Sequence, residues 1–95
     1  MKGYWLCVYE KINNMEKLKE YAPKATLAIN KYSGKFLARG GKNIILEGKN
    51  FPRSVIIEFK TFADAKECYD SKEYKEALDI LKGHVERNLQ IIEGI

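Results

Sequence analysis

Between Gly3 and Glu10 the chain reads GYWLCVYE, a run of aromatic and apolar residues that favours a strand. Pleating sends Tyr4, Leu6 and Val8 to one face and Trp5, Cys7 and Tyr9 to the other, so both faces are apolar. The period then lengthens. Asn13, with Glu16 three residues on, resembles a helix-capping box, and Met15, Leu18, Ala22, Ala25, Ile29 and Tyr32 recur at spacings of three and four. Pro23 lacks an amide hydrogen and crowds the carbonyl of Lys19, which predicts a kink or a break near Tyr21–Pro23. Gly34 is placed to supply the left-handed residue that ends the helix.

The stretch KYSGKFLARGGKNIILEG, from Lys31 to Gly48, organises the middle of the chain. It predicts a strand over Lys35–Arg39, a reversal at Gly40-Gly41 and a hairpin arm over Asn43–Glu47. Pro52 closes the following turn. In Arg53–Lys60, RSVIIEFK, the residues Val55, Ile57 and Phe59 alternate against Ser54, Ile56 and Glu58, which marks another strand. Thr61 and Asp64 make a second cap ahead of a helix with Phe62, Ala65, Cys68 and Tyr69 on its apolar face. A break at Asp70-Ser71 precedes a helix carrying Tyr74, Ala77, Leu78, Leu81 and Val85, its last turn weakened by Gly83. A final strand covers about Asn88–Glu93. No repeat or low-complexity segment interrupts the pattern, so one domain over residues 1–95 is expected.

The order β-α-β-β-α-β predicts an α+β, ferredoxin-like fold: an antiparallel four-stranded sheet, plus the hairpin arm, with helices on one face. Strands one and three are central in such a sheet, and here both are apolar front and back. Helices cover only one side. The other would leave an apolar patch that a soluble monomer seldom tolerates, which points to a homodimer packed sheet against sheet. Use of that face as a ligand platform is the competing reading.

Composition refines this little. With 95 residues, 45% hydrophobic and 32% charged, the chain is a small globular domain with a thin core of its own. The net charge of +4 is dispersed, with no run of five like charges, and reads as solvated lysine-rich helix faces. Cys7 and Cys68 stand far apart, without C-x-x-C or a Cys/His cluster, which favours a reducing, cytoplasmic setting. No window approaches the roughly 20 apolar residues of a membrane span, and the apolar run Tyr4–Tyr9 is too short for a signal peptide.

The segments KYSGKFLARGGKNIILEG, RSVIIEF, CYDSKEYKEAL and the terminal IIEG together resemble an uncharacterised bacterial family of domains of unknown function, about 95 residues long, within the dimeric α+β barrel superfamily. The resemblance covers nearly the whole chain. It implies a ferredoxin-like homodimer whose two sheets form a shared barrel, and it brings no activity with it. Related branches include cofactor-free monooxygenases, muconolactone-type isomerases and haem-degrading enzymes, with sites between sheet and helices. Their chemistry reaches this chain only as an analogy of fold.

Candidate site residues each have a plainer role beside the functional one. Arg39, ahead of Gly40-Gly41, suits a bidentate clamp on a carboxylate, or else lies over the sheet rim pairing with Glu47 or Glu58. Glu58, among Val55, Ile56, Ile57 and Phe59, suits a desolvated general base, or else a structural ion pair with Arg39 or Arg53. His84, the only histidine, suits proton transfer, or else caps carbonyls at a helix end. Tyr69 and Tyr74, with Trp5 and Tyr9, suit a pocket for an aromatic or unsaturated molecule, or else plain core and interface. No clustered ligands call for a metal, and no cofactor is expected.

Three functional readings follow. The first is a homodimer binding or transforming a small acidic or aromatic molecule in a pocket between sheet and helices. The second is a structural or interaction dimer with no ligand. The third, RNA binding, shares the element order, but RSVIIEFK lacks the aromatic pattern of RNA-recognition strands.

Overall fold

The computed structural model describes all residues, Met1–Ile95. Seven elements follow in order: β1 (Gly3–Ile12), α1 (Met15–Lys31), β2 (Lys35–Arg39), β3 (Arg53–Phe59), α2 (Phe62–Asp70), α3 (Lys72–Leu81) and β4 (Val85–Glu93). The strands form one antiparallel sheet in the order β2-β3-β1-β4, so β1 and β3 are the central pair. The expected α+β, ferredoxin-like arrangement is what the chain adopts.

Alternation along the central strands decides which face the helices cover. Trp5, Cys7 and Tyr9 on β1 and Val55, Ile57 and Phe59 on β3 are buried beneath the helices. Leu18, Tyr21, Ala25, Ala28 and Ile29 of α1, Ala65 and Cys68 of α2, and Tyr74, Ala77 and Leu81 of α3 complete this core. Tyr4, Leu6, Val8 and Ile56 lie on the opposite, helix-free face and are only half-buried. Ser71 ends α2 and starts α3 at once. Its hydroxyl donates to the Cys68 carbonyl at 2.7 Å and accepts from the Tyr74 amide at 3.1 Å, which explains the break the sequence announces.

The structure departs from the sequence reading on the helix faces, where Met15 and Phe62 are exposed and Tyr21 and Ala28 are buried instead, and in five further places. First, α1 is unbroken through Pro23. Pro23 and Lys19 both face solvent, so the carbonyl that Pro23 leaves without a donor needs no protein partner, and burial of the opposite stripe carries the helix through. Second, the cap is Asn14, one residue later than expected, with its side chain accepting from the Lys17 amide. Third, Ser33 rather than Gly34 takes the left-handed conformation after α1, at φ 60°. Gly34 is required for room instead: a Cβ there would lie 2.5 Å from Ile29 Cγ2 and 2.8 Å from the Phe59 ring.

Fourth, Asn43–Glu47 forms no strand; the chain from Gly40 to Pro52 is an exposed excursion without regular structure. Alternation alone did not provide a neighbouring strand for Ile44, Ile45 and Leu46 to pair with. Fifth, β4 begins at Val85, three residues early, because β1 runs on to Ile12 and pairs with it past a bulge at Tyr9/Lys11. No helix is long and apolar enough to cross a membrane.

Gly3 fixes how closely α2 approaches the sheet. A Cβ there would meet Phe62 Cα at 2.6 Å and the Thr61 carbonyl oxygen at 2.7 Å, both backbone atoms that cannot swing aside. Gly3→Ala is therefore expected to destabilise the fold by about 1–3 kcal/mol, as overpacked cores do. Urea denaturation measures this; an unchanged midpoint would contradict so tight a contact.

Candidate functional site

β1 meets β3 and β4 in a register that sets three long polar side chains in a row. Tyr9 is opposite Arg53 on one side and Arg87 on the other. All three lie on the helix-covered face, because Arg53 is in phase with Val55, Ile57 and Phe59, and Arg87 with Leu89 and Ile91. The two guanidinium carbons sit 5.6 Å and 5.4 Å from the centre of the Tyr9 ring, near enough for cation–π attraction. A core face thus ends in two positive charges.

Arg87 is bonded from both arms of its fork. Nη1 donates to Tyr9 Oη at 2.9 Å and to Tyr21 Oη at 3.4 Å, and contacts Cys7 Sγ at 3.6 Å; Nη2 donates to Tyr74 Oη at 3.0 Å. Tyr21 and Tyr74 share a hydrogen bond of 2.6 Å. Every partner of Arg87 is therefore an uncharged group near neutral pH. Burial pushes Tyr9 up to about 12, with Arg87 pulling the other way, and it drives Tyr74 further in the same direction. Burial likewise raises the Cys7 thiol, so it is not a thiolate nucleophile. For Arg87 itself burial opposes the charge, but attraction to Tyr21, Tyr74, Tyr9 and Cys7 once these ionise in alkali outweighs it and holds the guanidinium above its ordinary range.

Arg53 is less well satisfied. Its Nε is buried without a hydrogen-bond partner. Its side chain runs close over Gly40, where an added Cβ would fall 2.0 Å from Nη1, and Gly40 itself holds φ 64°. Glycine at position 40 therefore clears the channel in which Arg53 lies. Arg39, at the end of β2, reaches back to α1: Nη2 donates to Thr26 Oγ1 at 2.8 Å and to the Ala22 carbonyl at 3.3 Å, while its guanidinium covers the Phe36 ring at 4.1 Å. The Ala22 carbonyl precedes Pro23, so the proline's turn is where α1 meets Arg39.

These residues line one cavity between sheet and helices, together with Trp5, Leu18, Ala25, Ile29, Val55 and Ile57. About 410 Å³ is free of atoms, mouth included, yet a water-sized sphere can move its centre through only about 30 Å³ of it. The enclosed part is a slot for one or two waters or a slender group. All three arginines of the chain line it, and no lysine, aspartate or glutamate does. Ion pairs elsewhere use lysine throughout.

Of the residues singled out from sequence, Trp5, Tyr9, Arg39 and Tyr74 line this cavity. Trp5 is fixed by Nε1 donating to the Ala65 carbonyl at 3.0 Å and by an edge-on contact with Tyr74 at 4.9 Å. Tyr69 stands behind them, against Trp5 and Tyr74, with Lys75 over its outer ring face. Glu58 lies on the helix-free face, pairing with Lys2 at 3.2 Å and accepting from Tyr4 Oη at 3.4 Å. Neither Arg39 nor Arg53 is its partner. His84 sits in the turn after α3, where its backbone bonds Leu81 and Asn13, away from the cavity. Arg39, Glu58 and His84 therefore do not converge. Arg53, Arg87 and Tyr21, which join Tyr9 in the polar part of the cavity, are the residues that sequence reasoning overlooked. Their signal was phase: each arginine continues an inward-facing apolar alternation.

The family described as Domain of unknown function (DUF1330) matches residues 2–95. A search of curated proteins finds no significant match. Among solved structures, a protein of unknown function from Rhodopseudomonas palustris superposes with a TM-score of 0.81 at 16% identity, over 99% of this chain and 82% of that one. A dimeric ferredoxin-like protein of unknown function from Jannaschia sp. CCS1 gives 0.78 at 13%, over 99% and 100%. A candidate antibiotic biosynthesis monooxygenase from Nitrosomonas europaea gives 0.59 at 19%, over 100% and 99%. At these identities the likeness establishes the fold.

Buried groups with raised pKa values make stability sensitive to alkali. Tyr9 rises from 10 to about 12 and Cys68 from 9 to about 12, mainly through burial. Their protonated forms favour the folded state, so this contribution is complete below about pH 9 and is lost as pH climbs towards 12. For Tyr9 alone the loss is on the order of 2–3 kcal/mol. Urea denaturation of wild type and Tyr9→Phe across this range measures it. The wild type should weaken more steeply than the variant, and parallel curves would contradict the buried phenol.

Proposed function

The chain belongs to the DUF1330 family, whose function is unknown, and we propose from its cavity that it binds a small organic carboxylate between sheet and helices. One observation carries this reading: every arginine lines the same largely apolar cavity, and none has a carboxylate partner. Arg53 and Arg87 are half-buried. Drawing a charge partly out of water without an opposite one is costly, so that an apolar replacement of similar shape often serves the fold as well. An anionic ligand would supply the missing charge. Arg53 Nε, without a partner, is the available donor, and Arg39 flanks the mouth. A planar carboxylate matches the guanidinium fork and the narrow slot better than a bulkier phosphate ester does. The slot takes the carboxylate alone, and an aromatic or unsaturated body would lie at its mouth, against Phe36, since Trp5 and Tyr74 are fully buried.

Binding alone is what these residues support. Glu58 and His84 lie outside the cavity, and the Cys7 thiol is held protonated, so no general base or nucleophile is assigned. Monooxygenase or isomerase chemistry would enter by fold analogy only. The dimer belongs to the same proposal. Tyr4, Leu6, Val8, Ile56 and the exposed Ile92 make the helix-free face apolar, and a second copy packed there would cover it. Two free, buried cysteines suit a reducing, cytoplasmic setting. The ligand-free dimer module is the second reading, favoured by the narrowness of the slot.

Trp5 fluorescence reports on the cavity wall. Titration with benzoate, phenylacetate, succinate and inorganic phosphate should give a saturable change with at least one carboxylate. Arg53→Met should weaken that response at least about tenfold, the loss of one charge-assisted contact. Its melting temperature should hold or rise, because a poorly paired charge has been removed. Lack of response to every carboxylate, or undiminished binding by the variant, would overturn the reading.

A further inference from the structure

We infer that the excursion between β2 and β3 is a dimer arm whose three apolar residues, Ile44, Ile45 and Leu46, seat on a second copy of this chain. In the single chain these consecutive side chains are 76%, 43% and 81% exposed, on a segment with no helix or strand of its own. Three adjacent large apolar residues held in water are a marked loss for a domain of this size.

The segment is anchored at its base. The Gly40 amide donates to the Ser54 carbonyl at 2.9 Å, and Asn43 Nδ2 donates to the Pro52 carbonyl at 3.1 Å and the Gly41 carbonyl at 3.4 Å. On its return, Lys49 pairs with Glu10, and Phe51 lines a shallow depression with Val8, Glu10, Glu86, Arg87 and Asn88. Of these, Val8, Glu10, Glu86 and Asn88 belong to the helix-free face of β1 and β4. The arm is therefore continuous with the face on which the proposed dimer packs, and it begins beside the outer strand β2. A second copy seated on that face lies within its reach, whereas the parent chain gives the trio nothing to cover it. This inference rests on the dimer reading above.

Sedimentation equilibrium over a nanomolar to high-micromolar series separates the two. Wild type should be dimeric, and the triple variant Ile44→Ser, Ile45→Ser, Leu46→Ser should dissociate at least about 100-fold more readily, given the apolar area lost. Leu27→Ser, which alters an exposed leucine on the outer side of α1, should leave dimerisation unchanged. Far-UV circular dichroism of the triple variant should match wild type; if it does not, Leu46→Ser alone is read in the same way, with about tenfold weakening expected. A monomeric wild type would overturn the dimer reading and the arm with it. A dimer indifferent to the arm substitutions would overturn the arm alone and leave the trio to an unrelated partner.

Discussion

Everything distinctive about this domain depends on how half-buried positive charge is tolerated at one end of its core. Arg53 and Arg87 flank Tyr9 in adjacent strands, on the face that also carries Trp5, Val55, Ile57 and Phe59. Phenol oxygens from α1 and α3 accept from Arg87, so helices and sheet are joined there by charge-assisted bonds as well as by apolar packing. The same bonds explain why Tyr21 and Tyr74 stand where phenylalanine would otherwise suffice. Neutral oxygens only partly offset a half-desolvated guanidinium, and the proposed anion site rests on that imbalance.

The architecture places that site. Antiparallel pairing brings the end of β1, the starts of β3 and β4 and the end of β2 to one edge, where all three arginines gather. Helix α1 closes the opposite side. Its turn at Pro23 presents the Ala22 carbonyl, which accepts from both Thr26 and Arg39 and ties the outer strand to the helix. Gly40 leaves space for Arg53 and Gly34 for Phe59, so glycines flanking β2 serve the cavity and the core through the room they give.

The fold was legible because its signals are local and repeated. Two-sided apolarity in Gly3–Glu10, alternation in RSVIIEFK and the caps at Thr61 and Ser71 each report a choice made within a few residues. Misreadings arose where a distant neighbour decided. Pro23 breaks no helix because its freed carbonyl faces solvent. Asn43–Glu47 is no strand because nothing pairs with it. The site was less legible for the same reason. Arg39 and Tyr74, which line the cavity, stand out in the sequence through their own context, whereas Arg53 and Arg87 gain meaning only once register sets both against Tyr9. Glu58 looked desolvated in sequence, but strand parity turns it to the face where Lys2 and Tyr4 meet it.

The most direct test observes the arginines themselves. Proton–nitrogen correlation spectra of the guanidinium Nε groups, recorded while an aromatic carboxylate that perturbs Trp5 is titrated in, resolve three signals for three side chains. Saturable shifts at Arg53 and Arg87, complete at one ligand per chain and absent with the uncharged amide of the same compound, are predicted. Signals that stay fixed, or that drift linearly and equally with the amide, would contradict an anion site in this cavity.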